Sequence, residues 1–173
     1  MSDSNFLPSV NHLLKDEKGI LVTDDNGRGP SKWGITWETA QAVGFLEKPE
    51  TIATLTRDQA IVFYRRYLWD EMHLSLLSSL PLASRLLNLG VNIGPATAIH
   101  WLQRTINSLN MRVKDDGVLG PKTAAVANAM GSDALLNGIK TRAKLYYESL
   151  AAQNPVYAKD LAGWLNRLKE ADV

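Results

Sequence analysis

Phe6-Leu7-Pro8-Ser9-Val10-Asn11-His12-Leu13-Leu14-Lys15-Asp16-Glu17-Lys18-Gly19 carries apolar side chains at Phe6, Val10, Leu13 and Leu14, the spacing of one face of an α-helix. The next position on that face is Glu17, so a carboxylate stands at the core edge where the pattern calls for another apolar group. Gly19 then ends the helix, and Ile20-Leu21-Val22 predicts a short strand that enters a tight turn at Asp24-Asp25-Asn26-Gly27. The acid is thereby expected at the mouth of a hairpin. Partial desolvation there raises a carboxyl pKa toward neutrality, which is what a general acid needs. An acid on a helix edge paired with a neighbouring Lys or Arg gives the same sequence pattern.

Beyond the hairpin the chain reads as helices. Thr36 is placed as an N-cap, and Thr56 with Gln59 forms a capping box ahead of a helix over Arg57 to Asp70. Pro95 and Pro121 each follow a glycine and sit at a first helical position. Further helices are predicted from Pro81 to Asn92, Pro95 to Asn107, Pro121 to Met130, Ser132 to Gln153 and, after Pro155, from Val156 to Lys169. The nearest thing to a boundary is Ser79-Leu80-Pro81, which divides residues 1–80 from 81–173, and no Gly/Ser linker separates the two. They are expected to pack as one unit. The fold class is therefore mainly α with a small N-terminal β-hairpin.

Composition narrows the function. With 173 residues and 45% apolar content the chain can bury an ordinary globular core, which excludes disordered and fibrous classes. The absence of cysteine excludes disulfides and thiol chemistry. Residues 1–50 carry five Lys or Arg against eight Asp or Glu, and residues 51–173 carry fourteen against ten, for a net charge of +1. So weak and diffuse a balance does not predict a nucleic-acid surface. His12, His73 and His100 have no second ligand at metal-binding spacing, and no metal or other cofactor is expected. Asp115-Asp116-Gly117 lacks the remaining oxygens of a calcium loop and is expected to be a turn feeding the Pro121 helix. Met1-Ser2-Asp3-Ser4-Asn5 has neither a basic n-region nor an apolar h-region, and no stretch approaches a membrane span. Neither standard export nor stable membrane association is expected.

The run Glu17-Lys18-Gly19-Ile20, followed by Asp24-Asp25-Asn26-Gly27-Arg28-Gly29-Pro30-Ser31-Lys32-Trp33-Gly34-Ile35-Thr36, resembles the active-site segment of the N-acetylmuramidases of glycoside hydrolase family 108. There a Glu-Gly-Gly-Tyr element leads into an Asp- and Gly-rich turn and a Thr-Lys-Tyr-Gly-Ile-Thr stretch. The similarity continues through Leu55-Thr56-Arg57-Asp58-Gln59-Ala60, Tyr64-Arg65-Arg66-Tyr67-Leu68-Trp69-Asp70 and Val91-Asn92-Ile93-Gly94-Pro95. It reaches Trp101-Leu102-Gln103-Arg104 and Asp116-Gly117-Val118-Leu119-Gly120-Pro121-Lys122-Thr123, similar to the peptidoglycan-binding part of the same proteins. Lys18 replaces a family glycine, and Ser31 replaces the usual threonine, keeping the hydroxyl but losing the methyl that restricts its rotamer.

The resemblance implies a lysozyme-like fold and hydrolysis of the β-1,4 bond after N-acetylmuramic acid. It implies Glu17 as general acid and an aspartate that supports oxocarbenium-like charge or activates water, with Ser31 holding that water. Asp24 and Asp25 point to opposite faces in extended chain, so only one faces the cleft. Asp25 has the better spacing to Ser31, by analogy with phage lysozymes whose acid precedes the cleft hydroxyl by six residues. Substrate contacts are expected from Asp24, Lys32, Trp33 and Asn92. The partners implied are peptidoglycan glycan strands, with the protein a monomer. Its expected setting is a phage endolysin, made in the host cytoplasm and let through to the periplasm and wall by a holin. A bacterial wall-opening muramidase serving secretion, a lytic transglycosylase using the substrate's own 6-hydroxyl, and a non-catalytic wall-binding module are the competing expectations.

Overall fold

Helix α1 (Phe6–Glu17) forms where the period predicts it, with Phe6, Val10, Leu13 and Leu14 all buried. The structure, a computed structural model, describes residues 3–17, 19–24, 27, 29–154 and 157–170, and of Asp16 and Glu17 the main chain alone. Lys18, Asp25, Pro155 and Val156, on which four of the expectations above fall, lie outside the described residues.

The hairpin is where sequence and structure differ most. Strands β1 (Ser31–Lys32) and β2 (Ile35–Thr36) pair antiparallel, Ser31 with Thr36 and Lys32 with Ile35. The tight turn between these strands is Trp33-Gly34; the turn expected at Asp24–Gly27 falls partly outside the described residues, and there the Gly27 N–H donates to Asp24 Oδ1. Trp33 and Gly34 both have positive φ, 57° and 74°, the pattern of the turn that matches strand twist. Of the expected strand only Val22 pairs, in a single antiparallel bridge with Ser31, while Ile20 and Leu21 stand exposed beside it.

Thr36 caps helix α2 (Trp37–Ala42), its side chain accepting from the Thr39 N–H at 3.2 Å. A 3-10 segment, Pro49–Thr54, follows, and the Thr56–Gln59 capping box starts helix α3 as the sequence requires. Helix α3 runs over Arg57–Tyr64 and then widens into a π-helical turn over Arg65–Trp69, rather than continuing as one α-helix to Asp70. Around the wider turn Phe63, Tyr64, Leu68 and Trp69 are all buried, with the Phe63 ring against that of Tyr67. Asp3 fixes it from outside, accepting from the Trp69 indole at 2.9 Å and pairing with Arg65 at 2.6 Å.

Ser79 then caps helix α4 (Leu80–Ile93). This helix packs against α1 and also against α5 (Pro95–Ser108) and α7 (Ser132–Gln153). Helix α6 (Pro121–Met130) packs on α5 and α7, and α8 (Leu161–Lys169) on α7. The last helix starts later than predicted because Tyr157 to Asp160 form turns that lay the Tyr157 ring beside Trp164. Buried apolar side chains form one cluster from Phe6 to Leu168. The architecture is mainly α and lysozyme-like, with one two-stranded ribbon among the described residues. No described helix is long and apolar enough to cross a membrane.

Asp115-Asp116-Gly117 is a turn, and buried Gln103 organises it. The Gln103 amide donates to Asp116 Oδ1 and the Val118 carbonyl, and its oxygen accepts from the Asp116 and Gly117 N–H groups. Beside it, Arg104 donates to Asp115 at 2.7 Å and His100 bonds the other oxygen, so Asp115 ionises below the usual carboxylate range. Because the folded pKa is depressed, its contribution to stability is present above the unfolded value near ~3.9 and is lost as pH falls through the folded one. Asp115→Asn should therefore lower the melting temperature at pH 7, with the gap to the parent closing in strong acid. A gap that stays constant across a pH series of thermal melts would show that the charge contributes nothing.

Candidate active site

Helices α1 and α4 run side by side in the same direction. Asn5, just before α1, donates its side-chain amide to the carbonyls of Leu77 and Ser78, just before α4, at 3.1 and 3.4 Å. Farther along, His12 and Asn88 line one crevice. One turn on from each, the end of α1 carries Glu17 and the end of α4 carries Asn92, so these two lie at the same end of the pair. The amide of Asn92 has a fixed orientation: its nitrogen donates to the Asn88 carbonyl at 2.8 Å and to Asn88 Oδ1 at 3.1 Å. Its own oxygen is the group left to accept from a ligand.

The ribbon closes over this end through Trp33. Its main chain is left-handed, a conformation that costs a non-glycine residue about 1–2 kcal/mol. Two hydrogen bonds hold it: the indole N–H donates to the Leu55 carbonyl at 3.0 Å, and the Tyr64 hydroxyl donates to the Trp33 carbonyl at 2.8 Å. The indole in turn packs against Gly19, where a Cβ would lie 2.4 Å from the ring. Gly19 itself has φ 62°. The residue that stops α1 is thus shaped to the ring beneath it, which sets where the Glu17 end of the helix leaves off.

The remaining expected site residues occupy distinct places. Ser31 is buried, its main chain bonded in both directions to Val22 at 2.9 Å, and its side chain shares a face of the ribbon with the buried Thr36. Lys32 reaches across to the 3-10 segment and donates to the Ala53 carbonyl at 2.8 Å. Asp24 is exposed and accepts from the Gly27 N–H at 3.0 Å, closing the start of the loop. Asp25 and the Glu17 carboxylate lie outside the described residues. Sequence reasoning missed Gly19, Leu55 and Tyr64 as the supports of the site. The available signal was the Trp33-Gly34 pair between two short β-branched or polar runs, a hairpin signature whose usual Asn or Asp is replaced by an aromatic residue.

Residues 10–94 match the family model for glycosyl hydrolase 108, and residues 97–169 match that of a predicted peptidoglycan domain. The chain is accordingly similar over its first half to glycosyl hydrolase 108 and over its second to a peptidoglycan domain, and the two matches together support a glycoside hydrolase acting on peptidoglycan. In fold it is similar to a solved protein of Brucella abortus, SagA, with a TM-score of 0.80 and 24% identity over 97% of this chain and 91% of that one. No curated protein matches the sequence.

Gly19→Ala should place a methyl group into the Trp33 ring and force an alanine into a left-handed conformation. We expect a melting temperature lower by roughly 2–8 °C from the conformational cost alone and a loss of wall-lytic activity larger than the stability change explains. Full activity with an unchanged melting temperature would mean that the Trp33 contact does not position the end of α1.

Proposed function

We propose that the protein is a muramidase with Glu17 as its general acid, protonating the glycosidic oxygen that leaves N-acetylmuramic acid. The observation that carries the reading is the position of Glu17 on the last turn of a helix, beside the end of α4 and ahead of a glycine fitted against Trp33. A general acid must be held in one geometry through the bond-breaking step, and a helix terminus backed by a packed indole is a rigid mount. Asp25 would stabilise the oxocarbenium-like charge or activate the water, and the Ser31 hydroxyl would hold that water. Asp24, Lys32, Trp33 and Asn92 would contact the glycan. For Asn92 the free amide oxygen suits an acetamido N–H of the substrate, since the amide's own donors are engaged with Asn88.

Glu17→Gln should abolish lysis with circular dichroism and sacculus binding unchanged, and Asp25→Asn should cost more than Asp24→Asn. Products of the parent enzyme, read by mass spectrometry, should end in reducing N-acetylmuramic acid. Mainly 1,6-anhydro ends would make the protein a lytic transglycosylase and remove the water-holding roles of Asp25 and Ser31.

We further propose that the enzyme works as an endolysin of a phage, monomeric, made in the host cytoplasm and dependent on a holin to reach the wall. One unit that joins a glycosidase to a peptidoglycan-binding part fits a protein whose task ends once it meets the wall. Expressed alone in a Gram-negative host it should let cells grow, and lysis should follow abruptly when the inner membrane is opened by a co-expressed holin or chloroform. Spontaneous lysis on expression alone would point instead to a muramidase that crosses the membrane unaided.

A further inference from the structure

A groove of about 450 Å³ lies between the glycosidase part of the chain and the peptidoglycan part. One wall is Val43, Tyr67 and Glu71; the other is Pro95, Ala96 and Val118. It starts where α4 hands over to α5, just beyond Asn92, and so at the Glu17 end of α4. The walls are preformed. Tyr67 belongs to the π-helical turn that Asp3 pins, and Val118 follows the turn that buried Gln103 holds with four hydrogen bonds.

The chemistry of the lining selects its occupant. A sugar ring offers hydroxyls and asks for several convergent polar groups, whereas this groove is apolar apart from the Glu71 carboxylate and the Tyr67 hydroxyl. Val43 and Val118 are 38% and 54% exposed, and Glu71 has no ion-pair partner among the described residues. Short alkyl side chains together with a single ammonium would satisfy both features. Peptidoglycan carries both in its peptide stem, where a diamino acid is followed by D-alanine. The stem hangs from the lactyl group of N-acetylmuramic acid, the sugar whose bond a muramidase cuts, so it leaves the glycan beside the general acid. We propose that this groove binds the peptide stem of peptidoglycan, with the diamino acid's ammonium against Glu71, which makes the enzyme selective for stem-bearing glycan. The proposal rests on the muramidase reading above and adds a second recognition element to it.

Two polymers separate the possibilities: solubilised peptidoglycan with intact stems, and the same glycan stripped of peptide by an amidase. Parent enzyme should cut the stem-bearing polymer with the lower KM. Ala96→Trp, which fills the groove from an exposed position, and Glu71→Gln should leave turnover of stripped glycan unchanged. On stem-bearing glycan Glu71→Gln should raise KM about two- to fivefold, as expected for a partly exposed ion pair. N-acetylating the diamino acid's ammonium should produce the same rise in the parent and none in Glu71→Gln. Equal KM values for the two polymers in the parent, or losses of equal size on both in the variants, would overturn the stem site. A change of sedimentation coefficient in Ala96→Trp would assign the groove to self-association instead. If the parent cleaves neither polymer, the muramidase reading falls and the stem site with it, an outcome distinct from cleavage without stem dependence.

Discussion

The contact between Gly19 and the Trp33 indole ties the active end of the molecule together. Trp33 takes a left-handed conformation that its own side chain disfavours, and the Leu55 carbonyl and Tyr64 hydroxyl hold it there. Through that one residue four segments meet: the end of α1, the ribbon, the stretch leading into α3 and α3 itself. Strain of this size persists only where surrounding structure over-determines it, and here it sits against Gly19, two residues past the candidate acid. Replacing the turn by an unstrained Asn-Gly would relax the ribbon but remove the ring that α1 ends against.

A second organising feature works from the opposite side. Helix α4 lies between α1 and the pair α5 and α7, so the element that carries Asn92 to the glycosidase end also forms the core of the peptidoglycan part. Any displacement between the parts has to repack a helix whose Leu82, Leu86, Leu87 and Leu89 are fully buried. The π-helical turn after α3 serves the same continuity. Around it Phe63, Tyr64, Leu68 and Trp69 all stay in the core, and the Arg65–Asp3 pair closes it on the surface.

Much of the fold was legible in the chain, for a local reason. Thr36, Thr56 with Gln59, Pro95 and Pro121 mark helix starts through hydrogen bonds and steric limits that act within one turn, and each starts a helix in the structure. The stripe from Phe6 to Leu14 fixed the buried face of α1 by period alone. The run from Glu17 to Thr36 likewise pointed to a glycosidase, because it is a string of residue types in fixed order.

The tertiary structure decided what contacts between distant residues decide. Trp33-Gly34 lacks the Asn or Asp that usually marks such a turn; the left-handed tryptophan is held by Leu55 and Tyr64, remote in sequence, and packs against Gly19. Composition placed a turn at Asp24–Gly27, where Asp24 accepts from the Gly27 N–H, and the Val22–Ser31 bridge, nine residues apart, closes the loop around it. Asn92 lies toward the Glu17 end because α1 and α4 run in the same direction, with Asn5 bonded to the carbonyls of Leu77 and Ser78 at their starts and His12 and Asn88 lining one crevice farther along. The sequence alone determined which helices form, where they start and which chemistry they carry, since those depend on neighbours within a turn. Which residues stand together around that chemistry depended on long-range packing, and only the folded chain could settle it.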